Sequence, residues 1–198
     1  MLPTDVAHGI HEVQSFEVDE YNCIRGVVCG SQTLLEPENA GTDGQLPFDA
    51  IFSDEKTQSL YRQLVNHVRT TAETISFPYR CDSETHLVYL RVVVFLSSSK
   101  NVSFLNKVTG YDARHAGVRL KREFAVNDID YKICSICNRL CNPATVDDWQ
   151  EFQTLIENHH WPEKNKAMRC AFDVCNDCEH ALTQRMAETL RAFERRAA

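Results

Sequence analysis

Two CxxC pairs in the last third of the chain constrain its fold more than any other feature. Cys134 and Cys137 form the first pair, and Cys175 and Cys178 form the second. Each CxxC turn points two thiolates at one centre, and two turns complete the tetrahedral four-thiolate shell that is typical of structural Zn²⁺. The pairs are separated by 37 residues, against about 15–20 in the plain double-CxxC pattern. We therefore expect a folded insert, instead of a short hairpin, to bring the two pairs together.

Other chemistries for the four cysteines fit the pattern less well. A thioredoxin-type redox site needs one CxxC that opens a helix after a strand, not two matched pairs. An iron–sulfur cluster is also held by four thiolates, and spacing alone leaves that alternative open. Catalytic zinc needs an open coordination position, and the chain contains neither HExxH nor HxE…PCxxC. The sequence predicts a structural Zn²⁺ on Cys134, Cys137, Cys175 and Cys178.

Further donors lie close to the two pairs along the chain. Cys141 and Cys170 fall within the insert, where we expect ordinary buried thiols; as alternatives they would replace a ligand or sense oxidation. His159, His160 and His180 are spare nitrogen donors that rank below the cysteines. The pattern leaves open whether any of these five residues contributes to the metal site.

Composition and charge restrict where the protein acts. The chain has 198 residues and a formal net charge of −7. From residue 134 to the end, eight Lys and Arg stand against ten Asp and Glu, which argues against nucleic-acid binding. The first twenty residues hold no apolar signal-peptide core, and the most apolar run, 92–96, is too short to cross a bilayer. We expect a cytoplasmic protein without a membrane association, in which cysteines stay reduced.

The apolar periodicity of the first 110 residues predicts an α+β fold. Strand-like composition runs from Val13 to Val28, and further strands are expected at 74–81, 87–96 and 101–108. Alternation in the 74–81 strand places Cys81 in the core and Pro78 on a free edge or at a bulge. A helix with Ser53 as its N-cap is expected up to about Thr71, with an apolar stripe on one face, of Leu60, Tyr61, Leu64, Val65 and Val68.

Two helices are expected after the first CxxC pair. One has Thr145 as its N-cap, uses Trp149 and Phe152 for its buried face, and ends near His159 and His160. The other follows Cys178 and carries a narrow apolar stripe, of Leu182, Met186, Leu190 and Phe193. That stripe either packs on the rest of the chain or pairs with a second copy as a short coiled coil.

Two strings in the chain carry a family resemblance that covers about residues 48–180. Tyr61-Arg62, followed by Phe77-Pro78-Tyr79-Arg80-Cys81-Asp82-Ser83, resembles the YR…FPFRCDS signature of bacterial PAS-like sensory proteins. In that family a CSWCKR…W…HGICPDC module follows, and 134–139, Trp149 and 174–178 are similar to it. The family's first-pair Trp is Ile136 in this chain, and its His-Gly is Asp173-Val174.

The resemblance implies a PAS-like antiparallel sheet with helices on one face, often with a small-molecule pocket between them. From composition we expect a flexible N-terminus at residues 1–12 and a linker at 111–130, so that 13–110 would be the PAS-like sensory domain. Residues 131–198 would form a zinc-binding module with two helices, the second of them C-terminal. The ligand of such a pocket is not identified by the sequence.

Two functions remain from this reasoning. The first is a non-enzymatic sensor or adaptor with a protein partner or self-association, since the chain holds no GxSxG, P-loop, GxGxxG or kinase signature. The second is a redox-responsive switch in which Cys141 or Cys170 competes with the four-cysteine site, so that oxidation releases the metal.

Overall fold

A computed structural model describes residues 14–29, 32–35, 47–48, 52, 54–82, 86–98, 100–113, 122–124, 129–145, 147–157 and 168–197. The expected flexible segment 1–12 lies outside these ranges. Within them the chain forms eleven strands, β1 (Gln14–Val18), β2 (Ile24–Cys29), β3 (Gln32–Leu35), β4 (Ile75–Arg80), β5 (His86–Ser98), β6 (Asn101–Ala113), β7 (Arg122–Phe124), β8 (Tyr131–Cys134), β9 (Leu140–Cys141), β10 (Trp149–Gln150) and β11 (Met168–Asp173). The described helices are α1 (Glu55–Thr71), α2 (Phe152–Glu157) and α3 (Asn176–Ala197).

The strands form two sheets, and the fold is α+β as expected. Sheet 1 is antiparallel, in the order β3-β2-β1-β6-β5-β4. Sheet 2 has the order β10-β9-β8-β11-β7, and β11 runs parallel to both β8 and β7. Parallel neighbours need a crossover connection, and the chain between β8 and β11 contains β9, β10 and α2.

Helix α1 covers one face of sheet 1 with the predicted apolar stripe, and all five residues of that stripe are buried. Its N-cap is Asp54, whose carboxylate accepts a 2.7 Å hydrogen bond from the amide of Thr57, and not Ser53 as expected. Ala72 ends the helix in the left-handed region at φ 56°, and its amide donates to Val68. The prediction of this helix was therefore wrong only at its cap.

Sheet 1 turns alternate apolar side chains toward α1, as a half-buried strand requires. The buried residues on this face are Val18, Ile75, Phe77, Val92, Val94, Val102 and Phe104. Pro78 lies in β4, which is an edge of the sheet, as predicted. Cys81 is exposed, which contradicts the core position predicted for it, because β4 ends at Arg80 and the alternation ends with it.

Sheet 2 and α2 enclose a second, smaller apolar cluster, of Tyr131, Ile133, Leu140, Phe152, Leu155, Met168 and Cys170. The helix expected from Thr145 begins only at Phe152. The amide of Thr145 instead donates to Asn142 in a turn, and Trp149 lies in β10, paired with β9.

The main apolar core continues across the segment expected to divide two domains. Besides α1 and sheet 1 it contains Cys134, Ile136, Val174, Cys175, Leu182 and Met186. Residues 111–130, expected as a linker, include the end of β6 and strand β7, which pairs with β11. Helix α3 packs on α1 and β4 through Leu182 and Met186. Among the described helices, none combines the length and the apolar character needed to cross a membrane.

Candidate metal centre

The parallel pairing of β8 with β11 explains how the two distant CxxC pairs meet. Cys134 is the last residue of β8, and its partner in the register is Asp173, the last residue of β11. Both strands therefore end at the same edge, and each chain segment enters a CxxC pair at that point. The expected folded insert is the crossover that holds β9, β10 and α2.

The four predicted cysteines come together, with all four Sγ atoms within 4.8 Å of one another. The Sγ atoms of Cys137 and Cys175 are 3.8 Å apart. Four thiolates placed tetrahedrally around an ion at about 2.3 Å are separated by about 3.8 Å, whereas a disulfide requires about 2.05 Å. The residues therefore fit a single metal ion held by four thiolates.

Backbone hydrogen bonds shape both turns. In the first, the amide of Asn138 donates to the carbonyl of Cys134 at 2.9 Å, and Asn138 adopts a left-handed φ of 59°. In the second, the amide of Cys175 donates to the Sγ of Cys134 at 3.4 Å. Cys178 lies in the first turn of α3. Amide donors that point at sulfur stabilise the thiolate form that a metal requires.

Arg139 lies against the sulfur cluster. Its Nε donates to the Sγ of Cys137 at 3.3 Å, and its Nη2 donates to the Sγ of Cys175 at 3.2 Å. The same Nη2 donates at 2.8 Å to Asp177, inside the second CxxC pair. The hydrogen bond to Cys137 is the main reason why the pKa of Arg139 rises above its ordinary value. A fixed positive charge thus accompanies two of the four thiolates.

Hydrogen bonds among the four thiols divide their acidities. The neighbouring thiol of Cys134 is the main cause that lowers the pKa of Cys137, and it also lowers that of Cys175, to about 7. Close contact with the neighbouring sulfurs raises the pKa of Cys134, mainly through Cys137, and raises that of Cys178, mainly through Cys134. The two sulfurs that Arg139 contacts, those of Cys137 and Cys175, are thus the two whose pKa is lowered.

Both cysteine loops are hydrogen-bonded to sheet 1 and α1. The amide of Arg80 in β4 donates to Ile136 at 2.8 Å, and the side chain of Asn138 returns a 2.8 Å bond to Arg80. On the other side, the hydroxyls of Thr57 in α1 and Ser135 are 2.9 Å apart. Lys56, also in α1, donates at 2.8 Å to the carbonyl of Val174 and pairs with Glu179 at 2.9 Å.

A largely buried ion-pair group reinforces this junction. Arg80 pairs with Asp82 at 2.8 Å and with Glu151 at 2.7 Å, and the side chains of Arg80 and Asp82 are only 10% and 1% exposed. Burial alone would lower the pKa of Arg80, but Asp82 and Glu151 raise it above its ordinary value. The segment 80–82 and the first cysteine loop, which carry the family resemblance separately in the sequence, are in contact through the hydrogen bonds of Arg80 with Ile136 and Asn138.

The spare donors have different positions. Cys141 and Cys170 are buried thiols, as expected, and neither is in the group within 4.8 Å. Cys170 is the register partner of Tyr131, which precedes Cys134 by three residues on β8. Three residues of strand span about 10 Å, so Cys170 lies about that far along the sheet from Cys134. His180 is exposed on α3. His159 and His160 lie outside the described residues.

Three residues at the centre had no role in the sequence reasoning: Arg139, Asp177 and Lys56. Arg139 follows the first CxxC pair by two residues and Asp177 stands inside the second pair. A basic residue next to one pair and an acidic residue within the other were the available signal. Lys56 lies far away in the sequence and gives none.

Comparisons with known proteins add no relative to this description. No protein-family model, curated protein or solved structure matches the chain. The function is therefore argued from the geometry of the centre and its junction with sheet 1.

Proposed function

We propose that this protein is a non-enzymatic cytoplasmic sensor or adaptor in which a structural zinc centre is joined to a PAS-like layer of sheet 1 and α1. Four thiolates fill all four positions of a tetrahedral ion, which leaves no position for a substrate or a reactive water. Eight cysteines have side chains that the structure describes, and all eight are free thiols, as a reducing compartment favours.

The observation that carries the proposal is the junction between the metal loops and sheet 1. Hydrogen bonds from Arg80, Thr57 and Lys56 connect β4 and α1 directly to the segments that hold the four cysteines. Cys134 and Cys175 are also part of the main apolar core. A change at the metal would alter packing against sheet 1, and a bound metal would fix the surface that a partner or a second copy meets.

The arrangement of sheet 1 supports the PAS-like part of the proposal. It is antiparallel, and α1 lies on one face, as the resemblance implies. Aromatic rings fill the space between α1 and the sheet: Phe16 and Phe104 stack with centroids 4.7 Å apart, and Phe52 and Tyr61 are 4.5 Å apart. A small-molecule ligand in that space would have to displace these rings, so its chemical class remains unassigned.

The compactness of the thiol group favours zinc over an iron–sulfur cluster. A cluster places two or more irons and their sulfides between the cysteine sulfurs. Sulfurs that all lie within 4.8 Å of one another surround one ion but not such a cluster. Zn²⁺ also accepts a tetrahedral thiolate site without a geometric preference of its own.

Metal analysis of the purified protein, with an absorption spectrum of the same sample, tests this centre. We expect about one zinc per chain and no visible absorption. Cys134→Ser and Cys178→Ser should lose the zinc. Cys141→Ser, which changes a buried cysteine outside the group, is the matched control and should retain it. Iron, a visible chromophore, or zinc retained by both ligand variants would contradict the proposal.

Hydrogen exchange with and without a zinc chelator tests the sensor or adaptor role. We expect chelation to increase exchange in β4 and in the first turns of α1 as well as in the cysteine loops, because these elements share hydrogen bonds. Exchange that changes in the cysteine loops alone would mean that sheet 1 does not respond to the metal. Sedimentation of the zinc-loaded chain over a range of concentrations measures self-association.

A redox-responsive switch is the second candidate. The observation that favours it is the incomplete burial of Cys137 and Cys178, which leaves two of the four thiols within reach of an oxidant. Cys141 and Cys170, the surplus cysteines, are buried in the neighbouring cluster and would have to move before they could compete for the metal. Zinc content that stays constant in mild peroxide would exclude this function.

A further inference from the structure

Arg139 connects the two cysteine turns across the proposed metal site. It belongs to the first turn, while its sulfur partner Cys175 and its carboxylate partner Asp177 belong to the second. Asp177 is exposed, and the side chain of Arg139 is 24% exposed, so the pair lies on the solvent side of the sulfurs. A guanidinium has five N–H donors in a rigid plane, and Asp177 takes one of the two on Nη2. The other N–H of Nη2 and the N–H of Nε can therefore face the sulfurs.

The position of Arg139 divides the four sulfurs by their access to reagents. It donates to Cys137, a half-buried thiol, and to Cys175, a buried one. Cys134 is fully buried and receives the amide of Cys175. The remaining sulfur, that of Cys178, is half-buried and lies at the start of α3.

A hydrogen bond from a cation withdraws charge from a thiolate and reduces its nucleophilicity. A zinc ion with four thiolates carries a net charge of about −2, and the guanidinium offsets about half of it. We propose, on the basis of the proposed zinc centre, that Arg139 is a positioning residue that protects Cys137 and Cys175 from electrophiles. Cys178 is then the ligand that reacts first.

N-ethylmaleimide is a suitable probe because its reaction is simple. The sulfur lone pair forms a bond to a ring carbon of the maleimide, the adjacent carbon takes a proton from water, and the zinc loses that ligand. Zinc release is followed with a colorimetric chelator, and the first alkylated cysteine is identified by peptide mass spectrometry. The zinc content of each protein is measured before the reagent is added.

In the native protein we expect the first alkylation at Cys178. In Arg139→Gln we expect zinc release to be at least roughly tenfold faster, since a hydrogen bond to a charged group contributes about that factor. The first alkylation should then spread to Cys137 and Cys175. Arg139→Lys should give an intermediate rate, because an ammonium does not reproduce the planar fork that reaches both sulfurs.

Arg196→Gln is the matched control, since it removes an arginine on α3 that pairs with Glu73 away from the cysteines. It should behave like the native protein. An unchanged rate and an unchanged order of alkylation in zinc-loaded Arg139→Gln would overturn the proposal. If Arg139→Gln is isolated without zinc, zinc-loaded Arg139→Lys decides: release faster than from the native protein supports the proposal, and release at the native rate overturns it. Loss of zinc from both variants before the reagent is added would overturn it in favour of a purely structural role. Absence of zinc from the native protein would instead count against the zinc centre itself.

Discussion

At the scale of single residues, spacing identified the four cysteines that come together but not what surrounds them. A CxxC turn brings its own two thiols together whatever the rest of the fold does. The pair that begins at Cys134 and the pair that ends at Cys178 could therefore both be assigned from the sequence. The contacts of Arg139 and Lys56 depend on how distant segments pack. Cys81 was misplaced because alternation predicts burial only within a strand, and β4 ends one residue earlier.

The ion pair of Arg80 with Asp82 gives a prediction at this scale. Asp82→Asn keeps the shape of the side chain but leaves the exposed Glu151 as the remaining ion-pair partner of the largely buried Arg80 within the part of the chain that the structure describes. We expect the free energy of unfolding to fall by about 3 kcal/mol, as when one member of a buried pair is removed. Urea denaturation in excess zinc measures it.

Glu20→Gln is the matched control for that substitution. It neutralises an exposed carboxylate that pairs with the exposed Lys100 at 3.1 Å. Such surface pairs contribute about 0–1 kcal/mol. If Asp82→Asn and Glu20→Gln lowered the free energy of unfolding equally, Asp82 would not compensate the buried charge of Arg80.

At the scale of elements, long periodic segments were predicted well and sheet 2 was not. The stripe of α1 and the strands of sheet 1 have the alternation or helical period of half-buried elements. Strands β8 and β11 have four and six residues, and their parallel pairing is set by a crossover that no local pattern records. The spacing of Trp149 and Phe152 favoured a single helix, but Trp149 lies in β10 and Phe152 is the first residue of α2.

The packing of α3 predicts different effects along its apolar stripe. Leu182→Ala should cost about 2–5 kcal/mol, because Leu182 is 2% exposed in the main core and its truncation leaves a cavity. Leu190→Ala should change stability by no more than about 0.5 kcal/mol, because Leu190 is 37% exposed. Denaturation of both variants checks this. A reversed order would mean that the exposed half of the stripe is covered in solution, as in the coiled coil considered from the sequence.

The surroundings of His67 predict that the contact between α1 and α3 is sensitive to pH. Its Nε2 is 2.7 Å from the hydroxyl of Thr189, and burial lowers the pKa of His67 although Glu73 opposes the change. The folded protein therefore binds this proton more weakly than the unfolded chain, whose histidine has a pKa of about 6.5. Its contribution to stability is complete above that pH and is lost as the pH falls through the lower folded pKa.

We expect His67→Gln to reduce the decline in stability between about pH 7.5 and 5.5, the range set by that ordinary pKa. The amide can still bond to Thr189 but takes up no proton. Chemical denaturation at several pH values, with zinc in excess, compares the two proteins. Parallel stability curves for the variant and the native chain would contradict the expected linkage.

At the scale of the whole molecule, the shared core predicts that the protein unfolds as one unit. The sequence suggested separate domains at 13–110 and 131–198, but Ile136, Val174 and Leu182 are buried in the same cluster as α1 and sheet 1. Both tryptophans of the chain, Trp149 and Trp161, belong to the second segment, so their fluorescence is emitted from that segment. Hydrogen exchange in β5 reports on the first segment, 13–110.

With zinc bound, the two probes should therefore give the same denaturation midpoint, as a two-state transition requires. Chelation should lower both midpoints together and reduce the melting temperature by roughly 6–12 °C if the metal contributes about 3 kcal/mol to a chain of this size. Protection of β5 that persists after the tryptophan signal is lost would separate the two segments. The metal would then stabilise residues 131–198 alone, and the proposed coupling between the zinc centre and sheet 1 would be wrong.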